Sequence, residues 1–111
     1  MPKYNFIVFT NPSEGQEDEF NRWYDDVHVP EVIATPGFTG ASRFRLATPG
    51  VENPEFRYLA IYEIETDDAA ATLAELTSRA GDGRFNMSTA LGNAQTMLFE
   101  EITPFMRAPG T

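Results

Sequence analysis

Apolar and polar positions alternate along the chain in a way that predicts four strands and two helices. Tyr4 to Thr10 is apolar at both odd and even positions, which predicts a short strand covered on two faces. Asn11-Pro12-Ser13 and Gly15 break it. From Gln16 to Val27 the apolar residues Phe20, Trp23, Tyr24 and Val27 recur at helical spacing and form one stripe. Ser13 and Gln16 have the spacing of a capping box, and Glu14, Glu17, Asp18 and Glu19 crowd the positive end of the helix. Pro30 disfavours helical geometry at Val29, so the helix is expected to stop or kink near His28, with one further turn over Glu31 to Ala34 before Pro36-Gly37.

Phe38 to Ala47 predicts a second strand, with Phe38, Gly40, Ser42, Phe44 and Leu46 on one face and Arg43 and Arg45 on the other. Thr48 to Pro54 reads as a loop. Glu55 to Glu65 predicts a third strand, with Phe56, Tyr58, Ala60, Tyr62 and Ile64 on one face and Leu59 and Ile61 on the other. Asp67 or Thr66 is the expected cap of a second helix over Asp68 to Ala80, striped by Ala69, Leu73, Leu76 and Ala80. Gly81 suits the left-handed position after its end. Gly81 to Asn93 is polar and irregular, and Ala94 to Phe105 predicts the last strand.

The order β-α-β-β-α-β is that of the ferredoxin-like α+β arrangement, a four-stranded antiparallel sheet with two helices on one face. The other face carries Ile7, Phe9, Leu59 and Ile61, and a second copy of the sheet is the economical cover. A chain of 111 residues holds one domain, taken as 1–111. Nine Phe, four Tyr and one Trp supply a core. The net charge of −9, without a cluster of basic residues, argues against nucleic-acid and anionic membrane partners. With no cysteine, no signal-peptide pattern and no long apolar run, the expected location is the cytoplasm.

The only histidine is the strongest chemical signal. With Phe20 set to zero and about 100° per residue, His28 falls near 80°, at the border of the apolar stripe. An imidazole there can reach the space between helix and sheet, and it titrates near neutrality. Tyr24 is placed to hold a substrate oxygen and Asp25 to orient the ring. Trp23, Phe6, Tyr58 and Tyr62 are candidate pocket walls. Arg43 is a candidate anion contact, with pairing to Glu63 across the hairpin as the competing and preferred reading. One histidine and no cysteine argue against zinc, and no phosphate-binding glycine motif or nucleophile elbow is present. Neither a metal nor a cofactor is expected.

Asn11-Pro12, Gly15, Glu17, Glu19-Phe20-Asn21, Trp23-Tyr24, His28, Pro30 and Pro36-Gly37 together resemble the dimeric α/β-barrel superfamily, its EthD-like branch in particular. Arg43-Phe44 and the segment from Tyr58 to Glu63 fit the same pattern. The resemblance implies a homodimer with sheets face to face and a pocket in each subunit between helices and sheet. It also implies cofactor-free chemistry on a small hydrophobic oxygenated molecule: isomerisation, cyclisation or lyase cleavage, with His28 as acid/base. The further histidines that some cyclases and isomerases employ are absent. A non-catalytic ligand-binding or oxidase-accessory dimer, and a cofactor-free monooxygenase of phenols, stand as alternatives.

Overall fold

The computed structural model describes residues 1–110. Strand β1 spans Lys3–Pro12, helix α1 Glu17–Trp23, a π-helical turn Tyr24–His28, and helix α2 Val29–Ile33. Strands β2 (Phe38–Arg45) and β3 (Tyr58–Glu65), helix α3 (Ala69–Gly81) and strand β4 (Leu91–Glu100) complete the order. The strands form one sheet in the order β2-β3-β1-β4, with every neighbouring pair antiparallel. This is the ferredoxin-like α+β fold expected from the sequence. Among the described residues no helix is long and apolar enough to cross a membrane.

Period-two alternation decides which side of the sheet is buried. In β3, Tyr58, Ala60, Tyr62 and Ile64 are buried under the helices, whereas Leu59 and Ile61 on the opposite face are half-buried. Phe6 of β1 pairs with Tyr62 of β3 and Leu98 of β4, and Val8 with Ala60 and Thr96, so these six share the helix side. Phe20, Trp23, Tyr24 and Val32 close over that side as the core. The reverse face carries Ile7, Phe9, Leu59 and Ile61, continued by the exposed Phe44, Met97 and Phe99.

Several local expectations change. Near His28 the helix is irregular, as expected, but does not stop: a π turn over Tyr24–His28 leads on into α2. Pro30 is tolerated because the π turn, in which the Val29 N–H reaches back to the Tyr24 carbonyl, opens the ladder just before it. A bulge between Phe38 and Gly40 in β2 reverses the facing of the strand. Phe38 and Ala41 therefore pack on the core, and Phe44 lies on the opposite face. Phe56 precedes β3 and packs against Phe9, not beside Tyr58 in the core. Neither Gln16 nor Ser13 supplies a side-chain cap to α1; Ser13 Oγ donates to the Thr89 carbonyl instead. Asp68 caps α3, accepting from the Ala71 N–H at 3.0 Å. Gly81 is the last residue of α3, and the left-handed position falls to Gly83. The last strand begins at Leu91, not Ala94, and ends at Glu100. Its register against β1 shifts between Ala94 and Leu91, and at Gly92 a methyl group would sit 2.8 Å from the Asn11 carbonyl oxygen.

Candidate functional site

The site begins with one extra residue in a helical turn. In a regular α-helix, residues five apart lie roughly 140° apart around the axis and cannot face each other. The π turn changes this: the Val29 N–H bonds to the Tyr24 carbonyl, five residues back. Trp23 and His28, also five apart, are thereby stacked, with ring centroids 4.6 Å apart and planes inclined by 21°. Tyr24 meets the imidazole edge-on at 5.0 Å, and Phe85 does so at 6.0 Å from the loop after α3.

The imidazole lines an apolar cavity of about 290 Å³ between helices and sheet. Phe6, Val8, Tyr62 and Thr96 form its floor on the sheet. Val32 joins His28 on one wall, Leu76, Thr77 and Ala80 of α3 form another, and Phe85 and Met87 close it from the loop. Two of the larger clefts are polar. One of about 490 Å³ lies among Lys3, Asn5, Glu63 and Glu65, and one of about 580 Å³ among Asn21, Asp25, Arg43 and Arg45. Neither contains His28.

No group among the described residues hydrogen-bonds His28, and its Nδ1 is fully buried. Burial pushes its pKa down to about 4; the Glu31 carboxylate opposes the shift and the positive charge of Arg43 adds to it. The ring is therefore neutral at pH 7. Burial also raises the Tyr24 and Tyr62 phenols above their ordinary value, so both keep their protons. The Tyr62 hydroxyl is buried without a hydrogen bond of good geometry, although it lies within electrostatic reach of Tyr24.

The structure thus brings His28, Phe6 and Tyr62 to one cavity. Trp23 stands behind His28 and donates its indole N–H to the Asn86 carbonyl at 2.6 Å. Tyr24 is buried and is not on the cavity wall. Tyr58 and Arg43 belong to the polar cleft outside. Tyr58 donates its hydroxyl to Glu17 and accepts from Asn21 at 3.3 Å. Arg43 bonds Asp25 at 2.8 Å and Asn21 at 2.9 Å, and its guanidinium lies 4.3 Å from the centre of the Tyr24 ring. The expected pairing of Arg43 with Glu63 does not form, because Arg43 stands opposite Ala60 and Glu63 opposite Gly40. Asp25 is held by Arg43 and does not orient the imidazole.

Sequence reasoning missed Val32, Leu76, Thr96, Phe85 and Met87 as wall residues. Phe85 and Met87 are the large apolar residues in an otherwise polar loop, and that contrast was the available signal. It also missed Glu31, which holds Asn86 beneath them. His28, Tyr62, Met87 and the hydroxyls of Thr77 and Thr96 are the wall groups whose atoms could ligate a metal. Among the described residues no group of three or more His, Cys, Asp or Glu is gathered as metal ligands would be.

The fold is shared with solved structures of low sequence identity. The heme-degrader MhuD of Mycobacterium tuberculosis, solved with two hemes bound in its active site, aligns with a TM-score of 0.65 at 19% identity. That alignment covers 93% of this chain and 99% of that one. An ethyl tert-butyl ether D (EthD) family protein of Bacillus halodurans aligns at 0.52 and 17% identity, covering 92% and 100%. A dimeric ferredoxin-like protein of unknown function from Thermobifida fusca aligns at 0.51 and 10% identity, covering 90% and 92%. The likeness to an EthD protein bears out, at the level of fold, the resemblance read from the sequence. No curated protein matches the sequence. A family described only as a domain of unknown function, DUF4286, matches residues 3–81, and the chain belongs to it.

Proposed function

We propose that the chain is a cofactor-independent enzyme that moves a proton on a small, apolar, oxygen-bearing molecule, in an isomerase, cyclase or lyase type of reaction. The observation that carries this reading is an imidazole with no hydrogen-bond partner on the wall of an apolar cavity. Nδ1 is enclosed, so Nε2 is the nitrogen a guest meets. A neutral imidazole can take a proton from carbon beside a carbonyl and return it at another position, leaving the catalyst unchanged. Its low pKa makes it a weak base at rest. Negative charge developing on the guest's oxygen would favour the imidazolium and strengthen the base at the moment of transfer. Tyr62 lines the same cavity with its ring, while its hydroxyl, enclosed like Nδ1, lies toward Tyr24 and not toward the guest. Phe6 is a wall, and Trp23 fixes the plane of the imidazole.

The test is His28→Ala with a panel of cyclic ketones and lactones. Turnover is expected to fall about 10²–10⁴-fold with ligand affinity changed little. Unchanged turnover in a folded variant would instead favour the binding or oxidase-accessory reading. Oxygen consumption with phenols would favour a monooxygenase.

The same proposal includes a homodimer closed through the reverse sheet face, where Phe44, Met97 and Phe99 are 49%, 39% and 52% exposed. Light scattering is expected to give twice the 12.4 kDa chain mass. A monomer at micromolar concentration would remove that part of the proposal.

A further inference from the structure

Asn86, in the loop between α3 and β4, is tied to the first helical segment at almost every polar group. Its backbone N–H donates to both Glu31 carboxylate oxygens, at 3.0 and 3.2 Å, and its Nδ2 donates to one of them at 2.8 Å. Its carbonyl accepts the Trp23 indole N–H at 2.6 Å. The residues on either side, Phe85 and Met87, are cavity walls. Phe85 is buried edge-on to His28, whereas Met87 is 53% exposed. The other side-chain bonds of the loop's first half stay near α3: Arg84 bonds Asp82 and reaches Glu75 at 3.7 Å. The far end is fixed separately, by Ser13 on Thr89 and Ala90. Between these anchors, Glu31 and Trp23 are the groups that hold the middle of the loop down.

We infer that Glu31 is a positioning residue: by holding Asn86 it seats Phe85 over His28 and makes the 82–90 loop the passage through which an apolar guest enters. The inference rests on the reading that the cavity takes a guest. It does not need that guest to be turned over. Among the described residues Glu31 forms the only carboxylate contact to this stretch from across the cavity, and Met87 with Thr77 and Ala80 marks where the wall meets solvent. Removing the carboxylate leaves the Asn86 N–H and side-chain amide free to bond water. It therefore loosens the loop more than it destabilises the core.

The experiment uses the full chain and the neutral fluorophore N-phenyl-1-naphthylamine, followed by stopped flow, alongside hydrogen exchange at the Asn86 amide and the Trp23 indole. In Glu31→Ala, probe dissociation is expected to accelerate about fivefold or more, the loss of roughly one net hydrogen bond, and both exchange rates to rise. Glu31→Gln keeps one acceptor oxygen and is expected to lie between. Should Glu31→Ala fail to fold, Asn86→Ala, which removes only the side-chain amide, is expected to move the same rates in the same direction by less. Unchanged exchange would show that Glu31 does not hold the loop. Faster exchange with unchanged probe kinetics would show that the loop is not the passage, and no probe uptake by the wild type would overturn the reading that the cavity takes such a guest, and this inference with it. A failure of the catalytic reading appears separately, as unchanged turnover in His28→Ala with the probe results intact.

Discussion

Trp23→Ala is expected to cost about 3–5 kcal/mol of folding free energy and, in the same variant, to move the His28 pKa from about 4 back toward 6.5. The stability loss follows from position. Trp23 is 3% exposed, stacks on His28 at 4.6 Å and meets Tyr24 edge-on at 5.3 Å. Truncation removes the largest side chain of the core and leaves a void that the surrounding helix and sheet cannot collapse to fill. The lost indole bond adds less, because Asn86 is exposed and its carbonyl can turn to water. The titration change follows from solvent. Burial is the main cause of the low His28 pKa, and the indole covers one face of the ring. Urea unfolding reads the first effect, and NMR titration of the only histidine reads the second. A pKa that stays near 4 without the indole would assign the shift to Tyr24, Phe85 and the charge of Arg43 instead.

The second large effect is a loss of stability in mild acid. His28 has a lower pKa folded than unfolded, so the unfolded chain takes up a proton first. Its contribution to stability is complete above pH 6.5 and falls as pH drops from 6.5 toward 4. Below that it is lost, and the total is about 3 kcal/mol. Carboxylates with lowered pKa, Glu19 beside Arg22 and Asp82 beside Arg84, also stop stabilising as they protonate, but only at lower pH. The window between pH 6.5 and 5 therefore reports His28 with little interference. Denaturation midpoints across that window should slope in the wild type and lie flat in His28→Phe. Equal slopes in the two proteins would mean that the imidazole is hydrated in the native state.

The fold was legible because its strongest signals are periodic. The strict alternation in β3 and the four-residue stripe in the first helix each survive small errors of boundary. What failed turns on single residues. The bulge at Thr39 adds one residue to β2, and a period of two makes one residue enough to exchange its faces, so Phe38 and Phe44 part company. Pro30 did mark an irregularity, but the chain answered with a wider turn instead of a stop. Part of the site was visible in the same way: His28, Phe6 and Tyr62 belong to patterned elements. Phe85, Met87 and the Glu31–Asn86 contact were not, because a loop with no period meets the helix across 55 residues of sequence.

The π turn has a consequence for how this family can vary. A segment one residue longer than an α turn makes the aim of the imidazole depend on residue count, not only on residue identity. Losing one of Asp25, Asp26 and Val27 would let the segment close as a regular α turn, with the two rings four residues apart and still on one face. Keeping every residue but reverting to α geometry would instead set the two rings roughly 140° apart. Five positions with a π turn, or four with an α turn, present the same ring; a change of count without the matching change of turn does not, however similar the composition.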